Sequence, residues 1–329
     1  MPEALRTRRQ HRRRTGLRGP AAQRLGRRRS LRGLSLAELL VGVALGLAMV
    51  VLVLQGYANA GVNSRSGTSN AEMQTNGRYA LEVLRRELRH AALSPLLWDA
   101  SQLTVNATVT ARDYGCGAGL TANLMQGLQA FNDTNPYEDS CLTTGTDREW
   151  SRGDVLLLRR LASTAVTTTV TNAPYVRVSY GSGHLYLGGE TAASLPAPAY
   201  DHRLATDVYF INAWTRSADE SPRVPALYRL TLGSGANPTL VPELVASNVE
   251  HFQLQMGVAD TSGNLRYFDP NSVPDWGRVM SVRLWLLLRA SEPEADLAST
   301  TYTLGDVTYA PDDHFRRAVL TSTINVRNR

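Results

Sequence analysis

Glu38 is the residue whose surroundings most demand a chemical reason. It sits near the start of an apolar run, residues 34–54, interrupted otherwise only by Ser35, Gly42, Gly46 and alanines. A carboxylate in such a run is costly in hydrocarbon and calls for compensation. Gly33 precedes the run, and cutting the chain after it would expose the α-amine of Leu34 one helical turn before Glu38. That amine is a cation near neutral pH, suited to neutralising the Glu38 of an adjacent helix. The chemistry is charge pairing between chains, not turnover. The plainer readings are a polar residue tolerated at a membrane edge, below the roughly 2.5–3.5 kcal/mol of the bilayer centre, and a loop glycine.

Catalytic chemistry is not legible elsewhere. The six histidines, His11, His90, His184, His202, His251 and His314, are scattered, with no His-Glu-x-x-His, Cys-x-x-Cys, phosphate loop or Gly-x-Ser-x-Gly. Asp201-His202 and Asp313-His314 are sequence neighbours, and neighbours on a strand point to opposite faces. Asp260, Ser262, Asn264 and Asp269 resemble a loose calcium loop without its glycine and glutamate, so they read as a plain turn. We therefore expect no enzyme, no cofactor and no metal site. Cys116 and Cys141 fit an oxidising compartment if they pair; two separate thiols are the other reading.

The elements that position Glu38 follow from composition. Residues 34–54 make a helix of about 32 Å, enough to cross a hydrocarbon core of about 30 Å. Residues 1–33 hold 12 arginines and one acid, Glu3, which by the positive-inside rule keeps the N-terminus cytoplasmic. Taking these from the 35 basic and 29 acidic residues of the chain leaves 23 and 28, net −5. The positive balance thus belongs to the leader, and direct nucleic-acid binding by the remainder is not expected. Gly42 and Gly46 form a small-xxx-small pattern suited to close helix approach, or are passive in an alanine-rich span.

After residue 54 the glycines at 56, 61 and 67 weaken helix by about 1 kcal/mol each. Helix resumes near Ala71, where Met73, Gly77, Leu81, Leu84, Leu88 and Ala91 form one apolar stripe. Glu82 precedes Arg86 by four residues, the favourable order for an ion pair, and Pro95 marks the stop. One extended or kinked helix over 34–93 is compatible with this pattern. Strands are predicted at 102–110, 154–161, 164–171, 175–180, 184–188, 206–214, 226–232, 248–258, 277–290, 300–309 and 315–327. The clearest alternation is Phe252, Leu254 and Met256 against His251, Gln253 and Gln255, with Val282, Leu284, Leu286 and Leu288 on one face of a second strand. The fold class is α+β: a long N-terminal helix, transmembrane in one half and amphipathic in the other, packed on an antiparallel β-rich domain.

The stretch Gly33-Leu34-Ser35-Leu36-Ala37-Glu38 resembles the processing site of a type IV prepilin. Asn76 to Arg89 resembles the post-membrane helix of PilW-type minor pilins and their type II secretion counterparts. Asn248 to Val258, Asp275 to Arg289 and the ending Phe315-Arg316-Arg317 … Asn328 are similar to the PilW family pattern. The resemblance implies cleavage after Gly33 by a prepilin peptidase, methylation of Leu34, and a filament-assembly role for Glu38. It departs from the pattern at Leu34, where phenylalanine is usual, at Ala37, and in its long leader.

The organisation implied is a basic leader at 1–33, a membrane and assembly helix at 34–54, its amphipathic continuation at 55–94, and a periplasmic β-rich domain at 95–329 with a loop insertion at about 112–150 holding both cysteines. The implied function is a minor pilin in the bacterial inner membrane, single-pass, entering the pilus or its tip after cleavage. Implied partners are prepilin peptidase, the inner-membrane assembly platform, other minor pilins, the major pilin and a tip adhesin. The alternatives are a type II secretion pseudopilin, and an exported binding protein or enzyme. For the last, Arg28-Arg29-Ser30-Leu31-Arg32 faintly resembles a twin-arginine signal and Ala58-Asn59-Ala60 a signal-peptidase site.

Overall fold

The computed structural model describes residue 33 and residues 35–91, 96, 102–121, 126–146, 148–294 and 297–326. The leader at 1–32, Leu34, Pro95 and the terminal Asn328 lie outside the described residues. The chain divides into two units, 1–58 and 59–329.

One helix, α1 (Leu36–His90), contributes to both units. In the first unit its apolar side chains are exposed around the whole circumference, as at Leu40, Val43, Leu47 and Val50. It contains an 18-residue window of mean hydropathy 2.6, none of it buried within the chain, long and apolar enough to cross a membrane.

In the second unit α1 stays helical through the glycine-rich stretch because tertiary bonds hold it. Ser66 Oγ donates to Glu294 Oε1 at 2.7 Å, and the Ser69 and Ser291 hydroxyls lie 3.0 Å apart. Fixing the backbone by packing outweighs weak local propensity. Further along, Met73, Gly77, Ala80, Leu84, Leu88 and Ala91 are buried, while Leu81 is half-buried. Ala80 thus replaces Leu81 at the centre of the predicted stripe.

The strands are β1 (Leu103–Val105), β2 (Leu128–Phe131), β3 (Trp150–Val166), β4 (Pro174–Ser179), β5 (Ser182–Leu187), β6 (Tyr200–Asn212), β7 (Ala226–Leu232), β8 (Leu240–Ser247), β9 (Val249–Ala259), β10 (Leu265–Phe268), β11 (Val279–Pro293), β12 (Tyr302–Leu304), β13 (Val307–Tyr309) and β14 (Phe315–Asn325). Eight form one sheet in the order β1-β5-β4-β6-β3-β2, with β7 and β8 branching from β6. The branch arises because β6 is long. It pairs with β3 along one edge, while the other takes β4 at residues 200–203 and β7 at residues 207–212. The second sheet runs β10-β9-β11-β14, all antiparallel, and β12 and β13 form a separate hairpin.

Two apolar cores sandwich the larger sheet. Leu156 and Leu158 of β3 and Tyr209 and Ile211 of β6 point to a core shared with α1 and with Leu254, Met256, Val282, Leu284 and Leu286. Their sequence neighbours Val155, Leu157, Val208 and Phe210 point to a second core with Tyr114, Tyr137 and Leu142. Burial on both faces explains why β3 and β6 read as continuous apolar runs rather than alternation.

Several expectations need correction. The stretch 102–110 is only a three-residue strand followed by a short helix, α2 (Ala107–Ala111), and β1 runs parallel to β5, the one parallel pair among the described residues. The predicted strands 154–161 and 164–171 are one bulged strand, β3, ending at Val166. The turn Gly305 splits 300–309 into β12 and β13, its φ of +66° lying in the left-handed region. β8 and β10 carry no clean alternation and were not predicted. The insertion at 112–150 is not all loop, since β2 within it pairs with β3.

Candidate functional site

Ser35 starts α1. Its carbonyl accepts the Leu39 N–H at 3.1 Å, and its Oγ accepts the Glu38 N–H at 3.2 Å. Ser35-Leu36-Ala37-Glu38 is therefore the serine half of a capping box, and it fixes Glu38 in the first helical turn. There the macrodipole favours a carboxylate, a local reason for the residue that the S-x-x-E spacing already carried and the sequence reading missed. Gly33 is exposed, and the space around Gly33, Gly42 and Gly46 is open.

The second part of the site is the seat of α1 on the strands. Asn76 Nδ2 donates to Ser247 Oγ at 2.9 Å and to Asn248 Oδ1 at 3.0 Å. Asn248, with φ +67°, in turn donates through Nδ2 to the Arg289 carbonyl at 3.1 Å, and its own carbonyl accepts the Arg289 N–H at 2.9 Å. The helix is thus bonded to the junction of β8 and β9 and, through it, to β11. Gly77 packs on Leu288, and a methyl there would overlap it. Glu87, buried on the same helix face, accepts from Arg160 of β3 at 3.1 and 3.2 Å. The predicted Glu82–Arg86 pair does not form. Glu82 takes Arg85 at 3.0 Å, and Arg86 turns to Glu87.

A groove of about 510 Å³ runs beside α1, lined by Asn63, Ser66 and Ser69 of the helix and by Pro293, Glu294 and Arg316. Arg316 clamps Glu294 through two hydrogen bonds of 2.6 and 2.8 Å. That clamp, with the Ser66 hydroxyl, holds the Glu294 carboxyl down at about 2.

Behind the helix, Asp154 of β3 welds the two sheets. Its Oδ2 accepts the Leu254 N–H at 2.7 Å and its Oδ1 the Asp133 N–H at 3.1 Å. Burial pushes its carboxyl up to about 8.

Cys116 and Cys141 are joined in a disulfide, their Cα atoms 4.8 Å apart; it links two parts of the insertion, and both cysteines are buried in the second core. The histidine pairs are not brought into dyads. Asp201 is held by Arg177 at 2.7 and 2.9 Å while His202 Nδ1 meets the Ala162 carbonyl at 2.7 Å. Asp313 binds Arg317, and His314 Nδ1 the Leu297 carbonyl. Asp260 accepts the Ser262 and Asn264 N–H groups at 2.8 Å as an ordinary turn. No cluster of His, Cys, Asp and Glu with metal-site geometry occurs among the described residues.

Residues 208–328 match the family model described as Type IV Pilus-assembly protein W. This segment runs from β6 to beyond β14 and supplies most of the seat of α1. Among solved structures, a type IV-like pilin from Thermus thermophilus is similar at 14% identity and a TM-score of 0.34, over 78% of this chain and 96% of that one. No curated protein matches the chain.

Proposed function

We propose that this chain, a member of the PilW family of type IV pilus-assembly proteins, is a minor pilin whose N-terminal helix waits in the inner membrane before entering the pilus. One observation carries the reading. An apolar, outward-exposed helix begins at a serine-capped Glu38 and continues unbroken into the stripe seated on the family-matched strands. A helix apolar all round needs either a protein core or lipid, and here its apolar side chains are exposed within the chain. In this reading prepilin peptidase cuts after Gly33, Leu34 becomes the methylated N-terminus, and its amine pairs with Glu38 of a neighbouring subunit. The 34–54 segment then serves as the assembly helix, 55–94 as its continuation, and 95–329 as the periplasmic domain. The assembly platform, other minor pilins, the major pilin and a tip adhesin are the partners it would meet.

Two experiments test this. N-terminal sequencing of membrane-extracted protein should find methylated Leu34. A mature chain starting at Gly61 would instead favour export, and an intact leader in a strain with active peptidase would sink the processing step. Glu38→Ala should still be cleaved yet fail to enter pili; normal incorporation would refute the pairing.

A further inference from the structure

A cleft of about 370 Å³ opens where β3, the β6–β7 connection, β9 and β11 meet, presenting Arg152, Arg223 and Arg289 together with Glu149 and Glu250. Its charges do not balance. Both Glu250 oxygens are taken by Arg317, at 2.5 and 3.0 Å, which is also clamped by Asp313. Glu149 lies 3.7 Å from Arg223. Arg289 approaches Glu250 only to 3.7 Å, donates to the Arg223 carbonyl, and keeps a buried Nε with no partner. Arg152 donates to the neutral Tyr309 hydroxyl and has no carboxylate partner among the described residues.

A half-buried guanidinium beside a second one with an unused donor costs free energy unless an anion completes them. Arginine's planar fork suits an oxyanion with two acceptor oxygens. Nearby His251 reports the same positive field: burial and the charge of Arg152 lower its imidazole to about 4.

We propose that this cleft is an oxyanion-binding site, taking a carboxylate or phosphate group between Arg152 and Arg289 with Arg223 at the rim. The proposal stands apart from the pilin reading and does not depend on it. The shared chemistry is an oxyanion with two acceptor oxygens, and the arms of the test separate a carboxylate from a phosphoryl group.

The test is thermal unfolding of the full chain in detergent with inorganic phosphate, with glutarate, and with sodium chloride at matched ionic strength. We expect a saturable rise in Tm with phosphate, glutarate or both, beyond that with chloride. A response to glutarate alone assigns the carboxylate source, and one to phosphate alone the phosphoryl source. Arg152→Gln should weaken the apparent affinity by about tenfold or more, the loss of a charge-assisted contact. Arg223→Gln, at a half-exposed position, provides the same test if Arg152→Gln fails to fold. No rise beyond chloride, or an undiminished rise in both variants, overturns the site.

Discussion

Gly77 of α1 lies so close to Leu288 of β11 that the helix can approach the sheet only where a side chain is missing. Leu288 is fully buried and paired in the strand register with Ala318 of β14, so it has little freedom to retreat. The contact joins α1 to the strands of the family-matched segment.

Gly77→Val should therefore destabilise the fold. Overpacking costs about 1–3 kcal/mol, more than the helix propensity gained by replacing glycine. Urea unfolding of the full chain in detergent measures it. Combining the change with Leu288→Ala should recover part of the loss, as coupled neighbours do. A neutral Gly77→Val would show that the helix seat is looser than described.

Glu87 and Arg160 connect α1 to the larger sheet from opposite elements. Removing one partner of a buried pair costs about 3–5 kcal/mol when both are fully desolvated. Arg160 keeps 28% of its side chain exposed, so Glu87→Ala should cost about 2 kcal/mol after allowance for solvent screening. A double-mutant cycle with Arg160→Ala should return a coupling of the same sign; a cycle that closes to zero contradicts the pair.

The disulfide closes a loop of sequence separation 25. On the chain-entropy estimate this contributes about 3 kcal/mol. Cys116→Ser with Cys141→Ser should lower the unfolding midpoint accordingly under oxidising conditions, and reductant should shift the native protein but not the variant. Equal midpoints for both proteins would remove any stabilising role.

Asp154 gives the protein a pH dependence on the alkaline side. Its folded carboxyl titrates near 8 against an ordinary value of 3.8, so the folded state holds the proton that the unfolded state releases. Stability then falls as pH rises from about 4 to about 8 and is flat beyond. His251, lowered to about 4 from 6.5, works oppositely and removes stability as pH falls through that window. Between pH 6.5 and 8 the Asp154 slope remains without that opposition. Unfolding midpoints should decline across this interval, and Asp154→Asn should flatten the decline, because its amide carries no titrating proton, while costing stability at acidic pH, where one of its two backbone donors loses its acceptor. An unchanged slope in the variant would reassign the titration.

The parts legible in the sequence were those with a local signature. The apolar run, the arginine excess before it and the stripe from Met73 to Ala91 are periodic or compositional, and α1 follows them. The alternation through Phe252, Leu254 and Met256 marks β9, and the structure pairs these residues with Leu286, Leu284 and Val282. Where the period was absent the reading lost precision: β3 and β6, apolar on both faces, were found as strands but with β3 split in two and the start of β6 placed late, and β8 and β10 offered neither run nor alternation. Even the cap at Ser35 was present as a four-residue spacing, though not recognised.

By itself, the sequence determined a helix apolar enough for a membrane, a carboxylate placed in its first turn, and a strand-rich body behind it. Each is set by side chains within a few residues of one another, and such interactions hold whatever the rest of the chain does. Only the tertiary structure decided that Asn76 reaches Asn248, that Gly77 yields to Leu288, and that the Asp154 carboxyl replaces a strand partner for Leu254. Those partners lie 100 residues or more apart, and their meeting depends on how two sheets and a helix close around one core.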